Sequence, residues 1–124
     1  MARPAVRGLT ENELMIMRVL WENSPLSIGE VLERLPRKPK PAYNSLLTVM
    51  RILERKGHVV HRKEGKAFLY SPKLDRHAYR GFELGKLISG IFNGDALELA
   101  VSLLKSRALS EQEKAELKRL LEEL

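Results

Sequence analysis

Ala42-Tyr43-Asn44-Ser45-Leu46-Leu47-Thr48-Val49-Met50-Arg51-Ile52-Leu53-Glu54-Arg55-Lys56-Gly57 divides its side chains cleanly when placed on a helix. At about 100° per residue, Leu46, Val49, Met50 and Leu53 fall within about 100° of one another, the width of stripe that seats a helix on a core. Opposite them lie Asn44, Thr48, Arg51 and Arg55, with Leu47 on one flank and Tyr43 at the entry. Gly57 offers the left-handed conformation that ends a helix. One face therefore packs, and the other presents an amide, a hydroxyl, two guanidinium groups and an apolar side chain.

The flanking segments say what kind of helix this is. Upstream, Ser27-Ile28-Gly29-Glu30 is a capping box that opens a short helix through Leu35, and Pro36 stops it. The connector Arg37-Lys38-Pro39-Lys40-Pro41 is too rich in proline to be helical and carries three cations. Further upstream, the capping box Thr10-Glu11-Asn12-Glu13 starts a helix to about Glu22, with Leu14, Met17, Leu20 and Trp21 on one face. Downstream, residues 58–63 and 67–71 predict two strands joined by Glu64-Gly65-Lys66, and Pro72 ends the second. Helix, break, helix and tight hairpin, in that order, predict a winged helix-turn-helix: a mainly α fold with a small β-hairpin wing.

Such a scaffold reads double-stranded DNA by laying its second helix in the major groove. The outward side chains match what that groove displays, since Asn suits adenine, Arg suits guanine or phosphate, Thr suits either, and an aliphatic group meets a thymine methyl. Tyr43 is placed to set its hydroxyl against a phosphate. In the wing, Arg62, Lys63 and Lys66 surround the turn and suit phosphates or the adjacent minor groove, while Phe68 and Tyr70 tie the hairpin to the core. The candidate contact set is thus Tyr43, Asn44, Leu47, Thr48, Arg51, Arg55, Arg62, Lys63 and Lys66. A winged-helix scaffold also serves as a protein-interaction adaptor without sequence-specific DNA binding, because fold does not fix function.

Charge supports the polyanionic partner. Residues 1–80 hold 16 Lys/Arg against 8 Asp/Glu, whereas residues 81–124 hold 6 against 8, so the basic excess belongs to the segment with the helix-turn-helix pattern. The absence of cysteine removes disulfides, zinc fingers and thiol catalysis, and is compatible with a reducing cytosol. No apolar run approaches the roughly 18 residues of a spanning helix, which predicts a cytoplasmic protein with no membrane partner. His58 and His61, three apart in a strand, would point to opposite faces, and His77 stands alone, so no metal site is expected. Met15, Met17 and Met50 follow helical periodicity with leucines and read as core. No Gly-rich phosphate loop, nucleophile elbow or paired carboxylates appear, so neither an enzyme nor a cofactor is expected.

The C-terminal segment has a different character. Helices are predicted over about 75–92, 95–106 and 111–123, with Asn93-Gly94 as a break and Ser110-Glu111-Gln112-Glu113 as a third capping box. In the middle helix, Ala96, Leu97, Leu99, Ala100, Val101, Leu103 and Leu104 span roughly 200°, about twice the stripe needed for one contact. A helix that apolar wants neighbours on two sides, and a second copy of the segment supplies the missing one. The chain accordingly reads as a winged-helix DNA-binding domain over residues 1–73 and a helical dimerisation region over 74–124, with Leu87, Ile91, Leu97, Val101, Leu104, Leu117, Leu120 and Leu121 as the pairing residues. The other expectation is that these helices fold back onto their own N-terminal domain.

Leu9-Thr10 through Leu20-Trp21-Glu22, Ala42-Tyr43 with Thr48 and Arg55-Lys56-Gly57, Tyr70-Ser71-Pro72, Phe92-Asn93-Gly94, and Leu109-Ser110 with Glu113 and Leu117 together resemble the BlaI/MecI/CopY family of penicillinase and copper-ATPase repressors. The colinear set spans nearly the whole chain, although no single motif in it is specific. The resemblance implies a bacterial homodimeric repressor on a palindromic, inverted-repeat operator, occluding a promoter until a signal releases it. In β-lactam-responsive members a signalling protease is a further partner, and cleavage falls at an Asn-Phe bond in the C-terminal region. The aligned pair here is Ser102-Leu103, a departure from that rule, and the cysteine cluster of copper-responsive members is absent.

Overall fold

The computed structural model describes residues 8–124, in the order α1 (Glu11–Glu22), α2 (Ile28–Arg34), α3 (Tyr43–Arg55), β1 (Val59–Glu64), β2 (Ala67–Pro72), α4 (Arg76–Gly90), α5 (Ala96–Lys105) and α6 (Glu111–Glu122). Each capping box forms in both directions. Glu13 N donates to Thr10 Oγ1 at 3.1 Å while Glu13 Oε1 accepts from Thr10 N at 2.9 Å. Ser27 with Glu30 and Ser110 with Glu113 repeat the exchange. These boxes satisfy amides that the first helical turn leaves without partners, which is why the three helices begin where they do. α3 has no side-chain cap and instead leaves the connector at Ala42, which is extended.

The chain forms two compact units that part between Phe82 and Glu83. In the first, α1, α2 and α3 enclose a core whose most buried members are Met17, Leu20, Val31, Leu46, Met50, Leu53 and Val59. α1 buries more than one stripe: Ile16 and Val19 are in the core, while Leu14 and Trp21 are only partly covered. The reason is that α1 has α2 on one side, α3 on another and β2 on a third. The hairpin runs antiparallel from Val59↔Pro72 to Glu64↔Ala67, so the turn is the pair Gly65-Lys66, with Gly65 at φ 63° as a tight turn demands. Leu26 and Tyr70 exchange both backbone hydrogen bonds, at 2.7 and 3.0 Å, fastening the base of the wing to the α1–α2 loop.

The first unit extends past the hairpin. Leu74 and Tyr79 are buried in its core, Trp21 Nε1 donates to the Leu74 carbonyl at 2.9 Å, and the Arg76 guanidinium lies 5.6 Å from the Trp21 ring. Its division from the second unit therefore falls inside α4 rather than ahead of it.

The second unit comprises the end of α4 with α5 and α6. Asn93 (φ 50°) and Gly94 (φ 85°) turn the chain out of α4, and Gly94 N donates back to the Ile88 carbonyl at 2.8 Å. Neither α5 nor α6 has a buried residue. On α5, Leu99 and Val101 at the two edges of the apolar arc are half-buried, while Leu97, Ala100, Leu103 and Leu104 between them are exposed. Leu97 and Ile91 are each 74% exposed.

Candidate nucleic-acid interface

α3 is held with its apolar stripe inward by Leu46, Met50 and Leu53, each at most 2% exposed. That seating turns Tyr43, Asn44, Thr48, Arg51 and Arg55 outward, and all five are exposed. Thr48 Oγ1 donates to the Asn44 carbonyl at 3.0 Å, leaving its lone pairs outward. Leu47 differs from the expectation of an apolar side chain left in water. It is half-buried and packs against the core from the flank, because the wing and α2 reach further round α3 than a helical wheel shows.

The wing cations do not share one face. Cross-strand partners point the same way, so Lys63 lies with Phe68, and His61 with Tyr70, while Arg62 and Glu64 lie on the opposite face. The Lys63 ammonium sits 6.0 Å from the centre of the Phe68 ring. Arg62 reaches Glu64 at 3.4 Å with both side chains well exposed, a contact worth little in water. Lys66 occupies the turn itself. All three are exposed, and only Lys66 lines the cleft between the wing and α3.

That cleft, of about 710 Å³, is walled by Ser27 to Gly29 at the start of α2, by Tyr43, Leu47, Arg51 and Glu54 of α3, and by His61, Lys66, Phe68 and Tyr70 of the wing. Its geometry depends on a pair that helical and strand periodicity do not single out. His61 Nδ1 bonds both carboxylate oxygens of Glu54, the longer contact being 2.8 Å, and the His61 ring stands edge-on to Phe68 with centroids 5.3 Å apart. Helix and wing are thereby clasped on the same side as Arg51. The pair spans a helix end and a strand, so no local pattern announces it. Tyr70 beneath it is buried; burial, reinforced by the Glu54 carboxylate and Tyr43 and opposed by the Arg51 guanidinium, raises its phenol above the usual range and keeps it neutral.

The far end of α3 is anchored by charge. Glu13, 3% exposed, accepts from Lys56 Nζ at 2.8 Å with the oxygen not used for capping. Burial alone would raise the Glu13 carboxyl, but the Lys56 ammonium and the Thr10 cap bonds outweigh it and hold it below the ordinary range. His58, expected in the strand, lies ahead of it and is 3% exposed, whereas His61 within the strand is exposed. Its backbone N donates to the Leu53 carbonyl at 2.9 Å and its carbonyl accepts from Lys73 and Leu74. Among the described residues no cluster of three or more His, Cys, Asp or Glu side chains is gathered as a metal site would require.

A winged helix that turns a polar and basic helix face outward beside its hairpin is the architecture of a DNA reader, and a match to the penicillinase repressors spans residues 9–123. The chain belongs to the penicillinase repressor family. The penicillinase repressor of Bacillus licheniformis is 29% identical over 115 residues, covering 93% of this chain and 90% of its own. Among solved structures, the DNA-binding domain of the repressor BlaI matches 57% of this chain and 87% of its own at 31% identity with a TM-score of 0.51. The monomeric form of Bacillus licheniformis BlaI in complex with the blaP half-operator matches 60% of this chain and 92% of its own at 29% identity with a TM-score of 0.51. Membership of a repressor family implies a regulator. The pair Ser102-Leu103, where the resemblance led one to expect the family's cleavage position, lies within α5, with Ser102 half-buried and Leu103 42% exposed.

Proposed function

We propose that the chain is a cytoplasmic, sequence-specific DNA-binding repressor that works as a homodimer on an inverted-repeat operator. The observation that carries this reading is the seating of α3: a fully buried Leu46–Met50–Leu53 stripe that leaves Asn44, Thr48, Arg51 and Arg55 outward beside a cleft bordered by the wing. Asn44, Thr48 and Arg51 read base edges, with Leu47 meeting a thymine methyl from its half-buried position. Tyr43, Arg55, Arg62, Lys63 and Lys66 hold phosphates. That the monomeric form of Bacillus licheniformis BlaI is solved in complex with the blaP half-operator supports the reading of the first unit as a DNA binder.

Pairing rests on the second unit. Leu87, Ile91, Leu97, Leu104, Leu120 and Leu121 are exposed and Val101 and Leu117 are half-buried, and a second copy of the unit supplies the cover these side chains lack. Two-fold protein symmetry then calls for two-fold DNA symmetry, with half-sites about one helical turn or a small multiple apart. Occupation of the promoter excludes the transcription machinery, and no catalysis or cofactor enters.

The test is binding to operator-bearing and mixed genomic DNA across a salt series. Arg51→Ala lowers affinity for the matched site by about 1–3 kcal/mol and loses base preference, whereas Lys66→Ala weakens all sequences alike. An affinity indifferent to salt, or a footprint unchanged by both substitutions, would overturn the assignment.

A further inference from the structure

A second cleft, of about 370 Å³, opens on the side of the first unit between α1, the connector and α3. Its floor is the core itself, formed by Ile16, Leu35 and Leu46, and its walls are the half-buried Met15 and Val49. The volume lies at the small end of the range for small-molecule sites, and the combination of an apolar floor with a few convergent polar groups is the composition such sites show. The polar groups here are cationic. Arg37 and Lys40 stand at the rim, and among the described residues neither has a carboxylate partner. Arg37 Nη1 donates to Asn12 Oδ1 at 3.2 Å and Lys40 Nζ to the Glu33 carbonyl, so both are positioned by neutral acceptors while their charges stay uncompensated.

We propose that this cleft binds a small amphipathic carboxylate of about a dozen heavy atoms in all, its apolar body seated on Ile16, Leu35 and Leu46 and its carboxylate held by Arg37 and Lys40. Arg37 directs the choice of head group. A guanidinium presents five donors in a planar fork matched to a carboxylate, and the bond to Asn12 engages one of its nitrogens. The cleft differs from the one between α3 and the wing, sharing no lining residue with it.

The experiment is a methyl-detected NMR titration of the full chain with 4-phenylbutyrate and, separately, with its neutral primary amide. The carboxylate is expected to shift the methyl signals of Met15, Ile16, Leu35, Leu46 and Val49 saturably, and to bind at least about tenfold more tightly than the amide, the size of effect one charge-assisted hydrogen bond provides. In Arg37→Gln/Lys40→Gln the carboxylate falls to the affinity of the amide, and the amide's own affinity is unchanged. Both substitutions are at exposed positions, and a one-dimensional methyl spectrum reports whether the core is intact. Equal binding of acid and amide by the native protein, an unaltered preference in the double variant, or shifts confined to other methyls would each overturn the proposal.

Discussion

Leu97→Ala is the substitution whose effect the structure sizes most directly. In the single chain Leu97 is 74% exposed on the apolar arc of α5, so it contributes little to the fold of its own protomer and much to any surface laid against it. Truncation to alanine removes three carbons, worth about 2.4 kcal/mol at about 0.8 kcal/mol each if burial were complete. Roughly three-quarters of that, about 1.8 kcal/mol, is available on pairing, and a two-fold interface uses the residue twice, for about 3.5 kcal/mol per dimer. At about 1.4 kcal/mol per tenfold, the dimer dissociation constant rises roughly 300-fold. Sedimentation equilibrium over a concentration series measures that constant, with Glu98→Gln, on the exposed polar side of α5, as the control that leaves it within threefold. Circular dichroism should show unaltered helix content, because alanine is the better helix former. A dissociation constant that moves less than about threefold in Leu97→Ala, in a chain that still dimerises, would refute the placement of α5 in the interface.

Other expectations follow from the first unit. Lys56→Met removes the counter-charge from buried Glu13 and should lower stability by about 1–3 kcal/mol, read from urea unfolding. His58 is held below its ordinary value of 6.5 by burial, with Glu13 opposing and Lys56 assisting, so as pH falls the unfolded chain takes up this proton before the folded one. Stability from this residue is therefore full above pH 6.5 and declines below it, and His58→Gln should flatten the urea midpoint between pH 6.5 and 5.0 relative to the native chain. Glu13 acts in a lower window, below its ordinary 4.5, where the same measurement should show a separate decline that Glu13→Gln removes. Truncation after Phe82 should leave a more stable fragment than truncation after Pro72, by about 3–6 kcal/mol if burial of Leu74 and Tyr79 is lost in full, and thermal melts of the two fragments compare them.

The legible parts of the fold are those set by neighbours along the chain. Thr10 with Glu13, Ser27 with Glu30 and Ser110 with Glu113 each lie three residues apart, and each marks a helix start correctly, because a capping box is a local exchange of hydrogen bonds. The inward stripe of α3 is legible for the same reason, since helical periodicity alone gathers Leu46, Met50 and Leu53. What escaped the sequence are the ties between distant segments. Lys56 meets Glu13 across 43 residues, Trp21 meets the Leu74 carbonyl across 53, and Leu26 pairs with Tyr70 from a separate loop. Leu47 illustrates the limit best: a wheel describes one helix, whereas burial at a flank depends on how far α2 and the wing reach round it.

Separating reading from pairing has a consequence for release. Under the proposed function, in which α3 carries base preference, damage to the second unit would weaken operator binding by removing the effective concentration of the second reader, without changing which sequence is preferred. The Ser102-Leu103 bond is a poor substrate while α5 is intact, because a protease needs extended chain and these residues lie inside a hydrogen-bonded helix. Opening α5 costs least when its apolar arc is uncovered, as in a lone protomer, and most when a second copy covers it. Any signal routed through cleavage at this bond would therefore act on the dissociated chain faster than on the operator-bound pair. Release would follow from depletion of the monomer pool, since a dimer in exchange with cleaved protomers cannot re-form.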